Sequence, residues 1–125
     1  MPALYSDTLL DHFRHPRNYG SLEAPDISNE QFNPLCGDRI RLQLRLVNAK
    51  VNEVRFKGDA CAICTAAASL LTELILGQDL DQLANIPDSQ LLAALESDIQ
   101  PARLQCALLP LLALRSGLKD YRSEL

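Results

Sequence analysis

The chain has 125 residues, of which 47% are hydrophobic and 22% are charged, and its 12 basic and 16 acidic residues give a net charge of −4. This length and composition predict one soluble globular domain over residues 1–125. The mild acidic charge and the absence of tryptophan argue against a nucleic acid or an anionic membrane as a partner. No apolar run reaches membrane-spanning length and no signal-peptide pattern is present, so the expected location is cytoplasmic.

The first half of the chain predicts one helix followed by antiparallel strands. Apolar residues at helical spacing indicate a helix over Leu4–Arg14 that stops before a proline. A short edge strand is expected around Ile27–Phe32. Apolar residues alternate strictly with arginine and glutamine over Arg39–Val47, which predicts a strand with one buried and one cationic face. A turn at residues 48–50 leads into a return strand, Val51–Lys57.

The second half of the chain switches to helical periodicity. Residues 61–76 carry an apolar stripe that predicts a helix ended by a glycine. Leu80–Asn85 and Ser89–Ser97 predict two shorter helices, and Pro101–Leu118 predicts a last helix with Gly117 near its end. This order of elements predicts an α+β fold: a small antiparallel three-stranded sheet with helices packed on one face, in a single domain.

Cytosolic thiols are kept reduced, so clustered cysteines indicate metal or sulfur chemistry rather than structural disulfides. Three of the four cysteines occupy positions that suit a metal-binding or reactive thiol. Cys36 lies in the turn before the clearest strand, two residues from Asp38, and a carboxylate is a poor neighbour in an apolar pocket. Cys61 precedes a helix, whose dipole stabilises a thiolate. Cys106 lies early in the last helix, four residues before Pro110, where a continuous helix should kink. The alternative for each is a buried cysteine that acts as a small hydrophobe.

Cys64 completes a Cys-x-x-Cys motif with Cys61, which alone is typical of a redox site or of half a zinc site. No second such motif and no His-x-x-x-His follows, and the place of Cys64 near the apolar stripe favours the core. The two histidines, His12 and His15, are expected at the surface or in a turn rather than as ligands. The chain has neither a hydrolase nucleophile motif nor a glycine-rich phosphate loop.

Several separated motifs together resemble the U-type iron–sulfur cluster scaffold family, which includes IscU, SufU and the N-terminal domain of NifU. Residues 33–38, NPLCGD, match the family's Asn-Pro-x-Cys-Gly-Asp signature in full, and residues 11–18, DHFRHPRN, are similar to its N-terminal segment. The segment GDACAI at 58–63 resembles the second-cysteine helix, and PARLQCA at 101–107 resembles the third-cysteine segment. The resemblance covers nearly the whole chain.

The resemblance implies that Cys36, Cys61 and Cys106 are thiolate ligands of a [2Fe–2S] cluster or a zinc ion, with Asp38 as the fourth ligand. Carboxylate oxygen is a weaker iron partner than a fourth thiolate, which suits a cluster that is held briefly and handed on. Sulfur would arrive as a persulfide from a cysteine desulfurase, with Cys36 and Cys106 as candidate acceptors. Cys64 is a possible additional thiol, as an alternative ligand or a sulfur relay.

The chain departs from the family pattern at three places. Gln105 replaces the histidine that IscU-type members carry before the third cysteine. Residues 99–103, IQPAR, replace the Leu-Pro-Pro-Val-Lys motif, which argues against dependence on the dedicated Hsp70 chaperone. Arg103 and the Cys106-Ala107 pair are closer to SufU, yet the SufU insertion between the second and third cysteines is absent.

Two functions therefore remain open. The first is a non-enzymatic scaffold that receives sulfur from a cysteine desulfurase, binds iron, holds a transient [2Fe–2S] cluster and transfers it to apo iron–sulfur proteins or carrier proteins. The second is a zinc-bound, SufU-like sulfur acceptor and sulfurtransferase partner of the desulfurase. A structural zinc domain is the weaker third reading. If strand geometry extends back through Gly37, Cys36 and Asp38 point together toward the helix ends that bear Cys61 and Cys106.

Overall fold

Alternation of apolar and polar residues builds a three-stranded antiparallel sheet, with the strands in the order β1-β2-β3. The computed structural model describes residues 5–124. The strands are β1 (Ile27–Asn33), β2 (Asp38–Val47) and β3 (Lys50–Lys57). The helices are α1 (Asp7–Arg14), α2 (Ala62–Ile75), α3 (Leu80–Ala84), α4 (Asp88–Ala94) and α5 (Leu104–Ser123), with a single 3-10 turn at Pro101–Arg103 before α5.

The core lies between one face of the sheet and the helices α2 and α5. Ile40, Leu42 and Leu44 of β2 are almost completely buried on this face, as the alternating pattern predicts. The small residues Ala66, Ala67 and Ala68 of α2 are fully buried. Helix α1 packs against α2, and α5 packs against β1 and β2. The predicted α+β class with helices on one face is confirmed.

A tight hairpin and a crossing segment complete the sheet. Asn48 and Ala49 both have positive φ, 54° and 61°, as a two-residue turn of the mirror-image type requires. Residues 20–26, here called the crossing segment, begin at the β3 edge, where the Gly20 amide donates to the Phe56 carbonyl at 2.9 Å. They then cross the outer face of the sheet, and the Leu22 amide donates to Gln43 Oε1 at 2.9 Å.

The last helix differs from its sequence prediction at both ends. Pro101–Arg103 forms a 3-10 turn, and the α-helix begins at Leu104 and continues past Leu118 to Ser123. Gly117 is not a stop: a Cβ there would lie 2.8 Å from Ile27 Cγ2, so the glycine serves close packing of α5 on β1. The helix continues through Pro110, and the kink expected there stays a prediction.

The other boundaries agree with the sequence to within a few residues. Helix α4 ends at Ala94 rather than Ser97, because Glu96 takes a left-handed φ of 51° that no helix continues through. The predicted start of α1 at Leu4 lies outside the described residues. Within the described part of the chain, no helix combines the length and apolar character needed to cross a membrane.

Gly58 should tolerate no side chain. A Cβ at this position would lie 1.9 Å from the backbone oxygen of Arg39, which cannot move without disturbing β2. We expect Gly58→Ala to lower the free energy of unfolding by roughly 1–3 kcal/mol, measured by urea denaturation of the metal-free, reduced protein. Asn52→Ala, an exposed change on β3, the strand that Gly58 follows, is the control and should stay within about 0.5 kcal/mol of the parent. Equal stability of the two variants would contradict this packing.

Candidate metal centre

The loop between β1 and β2 presents Cys36 beside Asp38. Gly37 has a φ of +77°, a conformation that glycine adopts without strain, and its amide donates to the Asn33 carbonyl at 2.8 Å. The side-chain oxygen of Asn33 accepts from the Leu35 amide at 3.1 Å. This turn places the exposed Cys36 thiol 3.1 Å from Asp38 Oδ2, to which it donates a hydrogen bond. Thiol and carboxylate therefore share one side, but the turn produces this arrangement: β2 begins only at Asp38, and the strand geometry expected to extend back through Gly37 is absent.

Helix α5 brings a second thiol to the same place. The Sγ atoms of Cys36 and Cys106 lie 3.2 Å apart, in hydrogen-bond contact. One ligand atom from each of Cys36, Asp38 and Cys106 lies within 4.8 Å of the other two. Two thiols and a carboxylate at this spacing form a donor set that suits zinc or iron. We call this cluster, together with the neighbouring Cys61, the candidate metal centre.

Cys61 adjoins the cluster through its backbone. It is the N-cap of α2, and its Sγ accepts from the Cys64 amide at 3.5 Å. The Cys61 amide donates to Asp38 Oδ1 at 2.8 Å. The Cys61 sulfur is not one of the three groups whose ligand atoms lie within 4.8 Å of one another. The structure thus gathers three of the four predicted ligands and holds the fourth at the edge.

Cys64 occupies the core. It is fully buried on the inner side of α2, where the apolar stripe predicts it. Burial raises the pKa of its thiol far above the ordinary value, and the nearby negative charge of Asp38 raises it further. Its thiolate is therefore strongly disfavoured, and its role as an additional thiol stays a prediction.

Asp38 is ionised although it is buried. Burial by itself raises the pKa of this carboxyl, but hydrogen bonds from the Cys36 thiol and the Cys61 amide outweigh burial and hold the pKa below its ordinary value. The same surroundings act in the opposite direction on Cys106. Burial, followed by hydrogen bonding to Cys36 and Asp38, raises the pKa of the Cys106 thiol to about 12. Asp38 therefore carries a negative charge within the cluster, and the Cys106 thiol resists ionisation unless a cation is present.

The prediction that His12 lies at the surface or in a turn is wrong. His12 is 6% exposed, and its Nδ1 lies 2.7 Å from Ser69 Oγ in α2. Its Nε2 lies 3.4 Å from Glu73 Oε1, and the backbone amide of Arg17 also donates to Ser69 Oγ at 2.9 Å. This network fastens α1 and the turn after it to α2. The spacing of Leu9 and His12, both buried on one face of α1, is the signal that would have found it.

Comparison with known proteins decides the family. A family model described as the NifU-like N terminal domain matches residues 4–125. The chain belongs to this family. The iron-sulfur cluster assembly scaffold protein IscU of Haemophilus influenzae is 33% identical to this NifU-like chain over 125 residues, covering 96% of this chain and 97% of its own length.

Two further relatives show the breadth of the family. The zinc-dependent sulfurtransferase SufU of Bacillus subtilis is 34% identical over 134 residues, covering 94% of this NifU-like chain and 90% of its own length. The crystal structure of a nitrogen-fixing NifU-like protein (N-terminal) from Brucella abortus has a TM-score of 0.80 at 18% identity, covering 98% of this chain and 96% of that one. This likeness shows the fold. The family and the fold predicted from the sequence are both confirmed.

Asp38 should stabilise the protein even without metal. Asp38→Ala leaves the Cys61 amide without its acceptor, which should cost about 1–3 kcal/mol of unfolding free energy in the reduced, chelator-treated protein. Asp38→Asn keeps one carbonyl oxygen for this amide and should cost less. Because the folded protein holds the pKa of Asp38 below its ordinary value, the stabilisation is present above that ordinary value and is lost as the pH falls through the folded pKa.

Urea denaturation over a pH series checks this prediction. The stability difference between the parent protein and Asp38→Asn should shrink as the pH is lowered. Equal destabilisation by Ala and Asn, or a difference that does not change with pH, would show that the carboxylate does not tie the loop to α2.

Proposed function

We propose that this NifU-like chain is a scaffold for iron–sulfur cluster assembly, acting as one domain over residues 1–125. It receives sulfur from a cysteine desulfurase, binds iron, holds a transient [2Fe–2S] cluster and transfers it to apo-proteins or carriers. The observation that carries the proposal is the meeting of Cys36, Asp38 and Cys106 within 4.8 Å. Family membership supports the proposal. So does the IscU relative, which is named a scaffold protein and which this chain matches over nearly its whole length.

The proposed ligands are Cys36, Asp38, Cys61 and Cys106. Thiolates are the usual protein ligands of iron–sulfur clusters, and a carboxylate oxygen among them is a harder, more exchangeable ligand. Cys61 enters the set because its backbone already contacts Asp38, and its side chain is partly exposed at the N-terminus of α2. A carboxylate ligand suits a cluster that is cargo rather than a resident cofactor.

Cys36 is the better placed of the two candidate sulfur acceptors. It is exposed, whereas Cys106 is buried behind it. A Cys36 thiolate would attack the outer sulfur of the desulfurase persulfide, forming a new S–S bond while the desulfurase cysteine leaves as a thiolate. The Sγ atom of Cys106 lies 3.2 Å from the Sγ atom of Cys36 that would carry the accepted sulfur, so Cys106 is the second candidate. The chain itself makes no other bond in this step, which is why we class it as a scaffold rather than an enzyme.

The second candidate function is a zinc-bound sulfur acceptor that works with the same desulfurase. The donor set of two thiols and a carboxylate, with Cys61 beside it, also suits tetrahedral zinc. The SufU relative is named a zinc-dependent sulfurtransferase, and Gln105 and Arg103 follow the SufU pattern. Under both functions we propose a cytoplasmic location and no requirement for the dedicated Hsp70 chaperone.

Cluster assembly separates the two functions. The purified protein is incubated anaerobically with a cysteine desulfurase, cysteine and ferrous iron, and visible absorption is followed alongside metal and sulfide analysis. The scaffold proposal predicts iron and sulfide in equal amounts together with the absorption of a [2Fe–2S] cluster. Cys36→Ser should abolish assembly, because it removes both a ligand and the exposed acceptor. Cys64→Ser is the matched control and should assemble the cluster normally.

A zinc-loaded protein that forms no cluster and accelerates desulfurase turnover would overturn the scaffold proposal in favour of the zinc-bound acceptor. Transfer is tested separately by mixing the loaded protein with an apo-ferredoxin. Asp38→Ala should hold its cluster longer and transfer it more slowly than the parent. An unchanged transfer rate would exclude Asp38 as the residue that makes the cluster labile.

A further inference from the structure

The outer face of the sheet carries a cationic patch next to the candidate metal centre. This sheet patch consists of Glu30 and Phe32 on β1, Arg39 and Arg41 on β2, and Lys57 on β3. These side chains alternate with the buried residues of their strands and face away from the helices. Three cations and one carboxylate give the patch a positive charge, whereas the whole chain has a net charge of −4.

The cations of the sheet patch are poorly neutralised. Arg41 and Lys57 stand directly opposite each other on β2 and β3, an arrangement of like charges that destabilises a sheet. Among residues 5–124, neither of them forms an ion pair within 4.0 Å. Arg39 lies 3.7 Å from Glu30, but both side chains are more than half exposed, so this pair is weak. On its other side Arg41 stands opposite Glu30 of β1, so Arg39 and Arg41 share this one carboxylate and the patch keeps an excess of positive charge.

The crossing segment leaves this end of the sheet open. It covers the middle of the outer face, where the Leu22 amide bonds to the side chain of Gln43. It also orients one cation, since Arg41 Nη2 donates to Ser21 Oγ at 2.6 Å. Beyond the segment, Glu30, Arg41, Lys57 and Gly58 line a shallow depression of about 210 Å³. An extended acidic side chain can enter it.

The sheet patch also contains an exposed aromatic side chain. Phe32 is 53% exposed, and the guanidinium carbon of Arg39 lies 5.6 Å from its ring centroid. Exposed aromatic and arginine side chains together are enriched in protein–protein interfaces. Arg39 also follows Asp38 directly in the chain and donates its amide to the Asp59 carbonyl at 2.9 Å. The sheet patch is thereby fixed beside the candidate metal centre.

We propose that the sheet patch docks an acidic segment of a partner protein, with carboxylates placed over Arg39, Arg41 and Lys57. A protein is favoured over a nucleic acid because the patch is too short to contact many phosphates of a continuous polyanion. Glu30 and the net negative charge of the chain also repel a polyanion. A partner held there would lie at the same end of the sheet as the loop that carries Cys36, on the face opposite to the buried Asp38 side chain. The docking itself requires only the charges, so it stands or falls independently of the proposed function.

The test uses a glutamate-rich helical peptide as the probe and the isotope-labelled full chain as the target. Amide shifts during a low-salt titration should be confined to the sheet patch and should vanish at high salt. The double variant Arg41→Gln, Lys57→Gln should bind the peptide roughly threefold to tenfold more weakly. Lys119→Gln removes an exposed cation from α5 instead, and it should bind as the parent does.

A variant that gains affinity for the peptide gives the sharper test, because misfolding cannot produce a gain. Glu30→Gln removes the carboxylate within the sheet patch and should tighten peptide binding by roughly twofold. Glu53→Gln, which pairs with Arg45 at the other end of the sheet, should not. Shifts spread over the whole surface, an equal loss with Lys119→Gln, or no gain with Glu30→Gln would overturn the proposal. So would tighter binding of a single-stranded DNA oligonucleotide or of phosphatidylserine vesicles than of the peptide.

Discussion

A single buried carboxylate joins the parts of this molecule that carry chemistry. Asp38 is 3% exposed, and its two oxygens accept from different elements: Oδ2 from the Cys36 thiol and Oδ1 from the Cys61 amide. Burying a charged carboxylate is costly unless it is hydrogen-bonded. Because both bonds are made, the cysteine loop, the first residue of β2 and the N-terminus of α2 are held in one arrangement.

That arrangement also determines what the centre can hold. Asp38 stays ionised, while Cys106 keeps its proton until a strong competitor displaces it. When Cys36 loses its proton, Oδ2 loses a hydrogen-bond donor and becomes available, whereas Oδ1 remains bound to the Cys61 amide. Two thiolates beside a carboxylate repel one another, so a cation is required to hold them together. A centre of this kind favours the entry of a metal cation, to which Asp38 can offer Oδ2 while Oδ1 stays hydrogen-bonded to the Cys61 amide.

The sequence predicts the fold well and the centre in part, for identifiable reasons. Strict alternation along β2 predicts the buried face of the sheet, and the change to helical periodicity places Cys61 at a helix start. The turn at residues 34–37, not strand alternation, brings Cys36 beside Asp38. The hydrogen bond from the backbone amide of Cys61 to Asp38 could not be predicted, because it does not depend on the side chain of residue 61. Glycine is common at helix ends, so the sequence indicates an end near Gly117, whereas close packing of α5 on β1 explains this glycine. The burial of His12 has a local signal, its i,i+3 spacing from the buried Leu9, but its partners Ser69 and Glu73 on α2 are brought to it only by tertiary packing.

The central claim is that Cys36, Asp38, Cys61 and Cys106 bind one metal together while Cys64 takes no part. Cobalt(II) binding to the metal-free, reduced protein tests it most directly, because sulfur-to-cobalt charge-transfer absorption grows with the number of thiolate ligands. The account predicts one tetrahedral cobalt per chain, a weaker charge-transfer band in Cys61→Ser, and an unchanged spectrum in Cys64→Ser. A full spectrum in Cys61→Ser, or its loss in Cys64→Ser, would contradict the account.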